Sequence, residues 1–270
     1  LLADADVITD SLLSDHLTVF ASDEMEGRET GSRGEWLAAQ WLSRMYASLQ
    51  LIPMGPDGGY LQSFELTATV TDSLEYTLTD TGSGQEQRWV AKPDAGAGPG
   101  LQLTFGGSDT LSGPIAFAGF GVKDESAGID QLAGADLSGA WVLVFDELPY
   151  EVDGETVVNS TITNSVRIGG ILSSGAAGVL LISDRDSSSF DESVQVGNEI
   201  LSKPTNFRLP YRGGSGFRGF GPAIIQVRRD LASSLLGLDG TPLDSFRDSV
   251  IESMKTGEAE GPRWLNRSLS

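Results

Sequence analysis

The chain has 270 residues, of which 38 are acidic and 18 basic, giving a formal charge of −20, and it contains no Cys. Such a charge repels phosphate backbones and excludes a nucleic-acid-binding role, while the missing Cys excludes disulfides and thiolate metal sites. The length allows one large domain or two small ones with real cores, and no apolar stretch is long enough to cross a bilayer.

Lysine is confined to Lys92, Lys123, Lys203 and Lys255. That acidic balance fits either a surface suited to high salt or the ordinary solubility of an exported protein. The chain opens on Leu1 without a basic segment ahead of an apolar run, as expected of a mature product that has lost a signal peptide.

Taken in chain order, residues 8–22 read as a short helix. Thr9 or Ser11 caps it, and Leu12, Leu13, Leu17 and Phe20 recur at helical spacing. A polar loop from Ser22 to Arg33 follows. The clearest periodic element spans 32–50, where Leu37, Trp41, Met45 and Leu49 fall four apart with Ala38 and Leu42 beside them. This amphipathic stripe needs a partner surface, and Pro53, Pro56 and Asp57-Gly58-Gly59 end it.

From Tyr60 the spacing turns strand-like, through Leu61, Phe64, Leu66, Val70, Leu74, Tyr76 and Leu78 in Thr-rich sequence. A Gly/Asp/Ala stretch, Lys92 to Gly100, marks a boundary. Strands are then expected at Leu101–Phe105, Pro114–Phe120, Trp141–Phe145, Val179–Ser183 and Ala223–Val227, with a helix over Ser165–Ala177. Residues 184–222 read as loop. Two last helices, near Arg229–Leu236 and Leu243–Met254, precede a polar tail. The fold class expected is α+β.

Two sets of residues carry a family resemblance. The run His16-Leu-Thr-Val-Phe-Ala-Ser-Asp-Glu-Met-Glu-Gly-Arg-Glu-Thr-Gly-Ser-Arg-Gly-Glu-Trp-Leu-Ala-Ala-Gln-Trp-Leu42, with Gly59-Tyr-Leu-Gln-Ser-Phe64 after it, resembles the N-terminal signature of secreted bacterial zinc aminopeptidases. Relatives of that family include leucyl aminopeptidases and glutamate carboxypeptidase. Three further stretches are similar to signatures of the protease-associated (PA) domain that this family inserts before its catalytic core. They are Gly113-Pro-Ile-Ala-Phe-Ala-Gly-Phe-Gly121, Asp136-Leu-Ser-Gly-Ala-Trp-Val-Leu-Val-Phe145 and Gly175-Ala-Ala-Gly-Val-Leu-Leu-Ile182. Departures fall at Ala140 and Arg167, where Lys is usual, and at Gln50, where Gly commonly ends the second helix.

The resemblance implies a helical leader over 1–65, a β-rich connecting segment over 66–100, a PA domain over 101–240, and a C-terminal helix and tail over 241–270 leading toward a catalytic domain. It also implies peptide or protein substrates for the parent protein, zinc as its metal, and a secreted or periplasmic location. In that family two zinc ions are held by His, Asp and Glu with a Glu as general base. This sequence has one His, His16, and carboxylates alone make a poor zinc site. No catalytic or metal-ligating residue is therefore expected in this chain, and the activity of the parent is expected to reside elsewhere.

The remaining candidates are weaker. His16 is expected to sit on the first helix and hydrogen-bond the Asp23–Arg28 loop. The carboxylates Asp23, Glu24 and Glu26 suit acid–base work but more often are solvated, and Glu26 and Arg28 can pair with each other or with the absent core. Gly214-Ser-Gly-Phe-Arg-Gly219 fits G-x-G-x-x-G only formally, since a strand and not a helix follows it. The same loop holds Arg208, Arg212 and Arg218 among aromatics. These three are either a carboxylate-recognising, substrate-binding rim or scattered loop charge. The alternative to the peptidase reading is a stand-alone peptide- or protein-binding module with a PA fold.

Overall fold

The computed structural model describes residues 8–69, 73–92, 100–105, 111–201, 205–208 and 223–270. The described residues divide into two compact units, one running up to Thr67 with Arg208 and one running from Ala68 to Ser270.

The first unit is helical. Helix α1 spans Asp10–Phe20, and Thr9 caps it by accepting from the Leu12 N–H at 3.2 Å. A short 3-10 segment, Asp23–Arg28, leads to α2, Arg33–Ser48. Ser32 caps α2: its Oγ accepts from Glu35 N–H at 3.2 Å, and the Glu35 carboxylate reaches back to accept from Gly31 N–H, one residue ahead of the cap. Gly34 lies where a Cβ would run into the Met25 carbonyl, so the absence of a side chain lets the 3-10 segment rest on the first turn of α2. The residues from Tyr60 to Leu66, expected to begin the strands, carry no regular structure. Nothing there alternates a buried face with an exposed one.

The second unit is built on one eight-stranded mixed sheet. Its strands are β1 Leu74–Asp80, β2 Glu86–Ala91, β3 Leu101–Phe105, β4 Gly113–Phe117, β5 Trp141–Phe145, β6 Gly178–Ile182, β7 Ala223–Val227 and β8 Arg263–Leu269. The spatial order is β2-β1-β8-β4-β5-β6-β7-β3. The central four strands, β4 to β7, are parallel, with Gly178 opposite Trp141 and Ile182 opposite Phe145. The flanking strands are antiparallel.

The helices of this unit are α3 Asn164–Ser173, α4 Ser187–Leu201, α5 Arg229–Leu236 and α6 Leu243–Lys255. Helices α3 and α4 make the crossovers between parallel strands, as that connection requires. The central strands are apolar throughout because both faces are covered. Trp141, Leu143, Phe145, Leu180 and Ile182 point into one core with Ala232, Leu235, Leu236, Ile251 and Met254 of α5 and α6. Val142, Val144, Val179 and Leu181 point into the other, against Ile171 of α3 and Leu137. The sheet curls: Tyr76 of β1 hydrogen-bonds the backbone of Leu103 in β3, although five strands lie between them in the ladder. Burial pushes the Tyr76 phenol up to about 12.

The α+β class stands. Besides the Tyr60–Leu66 segment, two local expectations do not. Ser187–Leu201, read as loop, is a helix whose N-terminus is held by Asp186, which accepts from Ser189 N–H at 2.9 Å and Oγ at 3.0 Å. The polar tail carries β8, which inserts between β1 and β4. Its Leu269 carbonyl accepts from the Trp141 indole N–H at 3.0 Å.

Candidate functional site

Of the three arginines expected to recognise carboxylates, Arg208 lies in a short strand, Thr205–Arg208. Its side chain, together with Arg212, Arg218 and Gly214–Gly219, lies outside the described residues. His16 does sit on α1, but it makes no hydrogen bond to the Asp23–Arg28 loop. Its ring meets Trp41 edge-on with centroids 5.4 Å apart, and Phe20 packs on the same indole at 5.4 Å. An aromatic partner from α2 faces the imidazole where a loop carbonyl was expected.

The signature loop is also wired differently. Glu26 pairs with Arg33 and not Arg28. Arg28 turns back to donate to the Phe20 carbonyl, with its guanidinium carbon 4.6 Å from the Phe20 ring. This satisfies a carbonyl that the end of α1 leaves free. Glu26 and Arg28 both take positive φ, 47° and 58°, a costly arrangement for residues with a Cβ.

In the second unit the polar groups converge at the carboxyl ends of the parallel strands, the usual place for ligands on such sheets. Asp146 and Glu147 follow β5, Asp184 and Arg185 follow β6, and Gln226 stands near the end of β7. Asp184 Oδ2 accepts from Glu147 N–H at 3.0 Å, and Gln226 Nε2 donates to Asp146 Oδ2 at 3.3 Å. Beneath them lies Arg167 of α3, whose side chain is 0% exposed. It donates to the carbonyls of Phe120, Phe145 and Asp146 and to Asn164 Oδ1. Its ion-pair partner in the described residues is Asp146 Oδ1 at 3.5 Å, and the Asp184 charge also acts on it.

Burial raises the Asp146 and Asp184 carboxyls above their ordinary range, opposed by Arg167 at Asp146 and by Arg247 at Asp184. Burial likewise lowers Arg167. Among the described residues Gln226 Oε1 and Arg247 Nε have no hydrogen-bond partner. Carboxyls of raised pKa can hold a proton, and here they tie the ends of the parallel strands together through the Glu147 N–H and the Gln226 amide.

The residues present do not fit a two-zinc centre. Among the described residues no group of three or more His, Asp or Glu side chains is placed to hold a metal ion, and no helix is long and apolar enough to cross a membrane. Sequence reasoning missed Asp146, Asp184 and Gln226. The sequence carries a partial signal, Asp146 directly after one apolar strand and Asp184 two residues after the next, but nothing in it marks Gln226.

No protein-family model matches the chain, and no curated protein matches it. Among solved structures it is similar to an aminopeptidase from Aneurinibacillus sp. strain AM-1, at 12% identity and a TM-score of 0.36, over 92% of this chain and 42% of that one. The chain thus spans less than half the length of that protein, and so remote a likeness fixes neither fold nor activity.

Proposed function

We propose that this chain is the non-catalytic leader and PA portion of a secreted zinc-dependent aminopeptidase, serving substrate access and peptide binding. One observation carries the reading. The three PA-like stretches, separate in sequence, supply the adjacent parallel strands β4, β5 and β6, with Gly113–Gly121, Asp136–Phe145 and Gly175–Ile182 entering in that order. Stretches matched by accident would have no reason to share one sheet.

The leader offers a second support. Leu12, Leu13, Leu17, Trp36 and Leu49 stand exposed on α1 and around α2, and a large apolar side chain left in water forgoes about 1.5–3 kcal/mol. A catalytic core, supplied by further sequence of the same protein, would cover them. The zinc chemistry of the parent belongs to that core, and the residues here bind, screen and orient peptide.

The test is the gene. A reading frame that encodes two further His ligands with their carboxylates, and whose full product hydrolyses aminoacyl-anilides in a chelator-sensitive way, supports the proposal. This chain alone should then be inactive. A gene encoding only these residues would overturn it in favour of the stand-alone binding module, and so would zinc-dependent hydrolysis by the isolated chain.

A further inference from the structure

A cleft of about 270 Å³ opens on the second unit between α6, the first residue of β8 and the turn that follows β4. Its apolar wall is aromatic. The Phe117 and Phe246 rings stand 5.4 Å apart, tilted by 43°, and Val250 lines the same wall. The Arg263 guanidinium carbon lies 5.9 Å from the Phe117 ring and 5.8 Å from the Phe246 ring.

Arg263 is unusual for this unit. Arg88, Arg228, Arg229 and Arg267 each hold a carboxylate, but Arg263 has none among the described residues, in a chain with twice as many acids as bases. Arg263 is exposed and lines the cleft, and its guanidinium donates to no protein acceptor among the described residues.

The polar wall is built to match. Gln131 is 1% exposed, and its Oε1 accepts from Phe120 N–H at 3.0 Å and Val122 N–H at 3.2 Å. That fixes the amide so that Nε2 faces Gly119, where a Cβ would collide with it. Gly119 has φ 57°, so the backbone there also disfavours a side chain. Gln131 Nε2 finds no acceptor among the described residues. On the opposite side, Ser249 and Ser253 donate their hydroxyl protons to the Phe246 and Val250 carbonyls at 2.7 and 2.8 Å. Their oxygens remain as acceptors, and Glu260 also lines the cleft, with no ion pair among the described residues.

We propose that this cleft binds a small carboxylate carrying an apolar side chain, the chemistry shared by a free hydrophobic amino acid and the C-terminal residue of a peptide. The carboxylate meets Arg263 as a charge-assisted hydrogen bond, with Gln131 Nε2 as a further donor. The side chain lies on Phe117, Phe246 and Val250. The ligand's nitrogen donates to the serine oxygens, or to Glu260 when it is an ammonium. The cleft is just below the size of a pocket for a drug-sized ligand, which suits one residue and not a nucleotide or a long peptide. The proposal stands whether or not the chain belongs to a peptidase.

The experiment is a titration of the isotope-labelled protein, followed by amide chemical shifts, with three probes. These are N-acetylphenylalanine for the peptide end, phenylalanine for the free amino acid, and N-acetylphenylalaninamide, which lacks the carboxylate. Saturable shifts around Gly119, Phe246 and Arg263 are expected for at least one of the two acids. The amide should bind at least about tenfold more weakly. Tighter binding of phenylalanine assigns the ammonium to Glu260, and tighter binding of the acetylated acid assigns the site to peptide ends. Arg263→Gln, at an exposed position, should weaken the acid by a similar factor and leave the amide unchanged. Phe246→Leu should weaken all three. No saturable binding, equal binding of acid and amide, or indifference to Arg263→Gln would each overturn the proposal, and the probe comparison needs no variant to fold.

Discussion

The two units use similar apolar residues to different ends. In the first, Met25 and Ala38 are the only buried hydrophobic residues among those described, while α1 buries none and Leu17 remains 66% exposed. In the second, every residue of β5 and β6 is buried, and the residues alternate between two filled cores. A helix stripe is satisfied only when a second layer lies against it. Two helices and a 3-10 turn make one layer; a sheet with helices on both faces makes three. The stripe Leu37/Trp41/Met45/Leu49 therefore states a need for a partner without stating where the partner is.

The largest test of that contrast is Arg167→Leu in the second unit. The substitution leaves the carbonyls of Phe120, Phe145 and Asp146 without their donor in a site closed to water. A loss of about 3–5 kcal/mol is expected in urea unfolding. A loss under about 1 kcal/mol would mean that water reaches those carbonyls and that the unit is less closed than its burial indicates.

In the first unit the corresponding weak point is a backbone approach, not a core. Gly34→Ala places a methyl group against the Met25 carbonyl, and the 3-10 segment must shift away. A cost of about 1–3 kcal/mol is expected, read as faster amide exchange at Met25 and in the first turn of α2. Unchanged exchange there would show that the signature loop does not rest on α2.

How much of this was legible in the sequence varied with the kind of interaction. The α1 and α2 helices follow from period and capping, and the strands β3 to β7 from apolar composition, although α1 leaves its apolar stripe exposed. Helix α4 was hidden by Ser187-Ser188-Ser189, which reads as loop unless Asp186 is recognised as the cap and Phe190 and Val194 as its buried pair. Strand β8 was hidden because its outward residues, among them Arg263 and Arg267, make it look like a tail; its place between β1 and β4 depends on distant strands. The departure at Gln50 carries a local cost: its φ is 56°, the left-handed conformation that Gly adopts freely and a residue with a Cβ does not. The cluster at the strand ends was not legible, since Asp146, Asp184 and Gln226 meet only once the parallel register is set.

A smaller effect separates burial from pairing at that cluster. The Asp146 carboxyl, 23% exposed, faces Arg167, Arg185, Gln226 and Glu147, and burial outweighs the cations in raising its pKa. A carboxyl with a folded pKa above its unfolded value of about 3.9 binds its proton more tightly in the native state. Its stabilising share is thus complete below the unfolded pKa and is lost as pH rises through the folded one. Asp146→Asn should then gain stability at neutral pH, on the order of 1 kcal/mol or less, and the gain should vanish on acidification into the carboxylate range. A loss at neutral pH would mean that attraction to Arg167 dominates over burial.

The smallest expected effect is the one that bears most directly on the leader. Leu17→Ser removes an apolar side chain that the chain itself leaves largely in water, so its stability should stay within about 0.5 kcal/mol of the parent. Self-association of the purified chain should fall, because an exposed apolar patch is what drives it. Placed in a longer product with the proposed core, the same substitution should cost about 1.5–3 kcal/mol, since there the leucine would be buried. The difference between the two measurements isolates the partner surface from the intrinsic stability of the helices. A substantial cost in this chain alone would mean that Leu17 is already covered in solution, by a second copy or by a packing of α1 different from the one described.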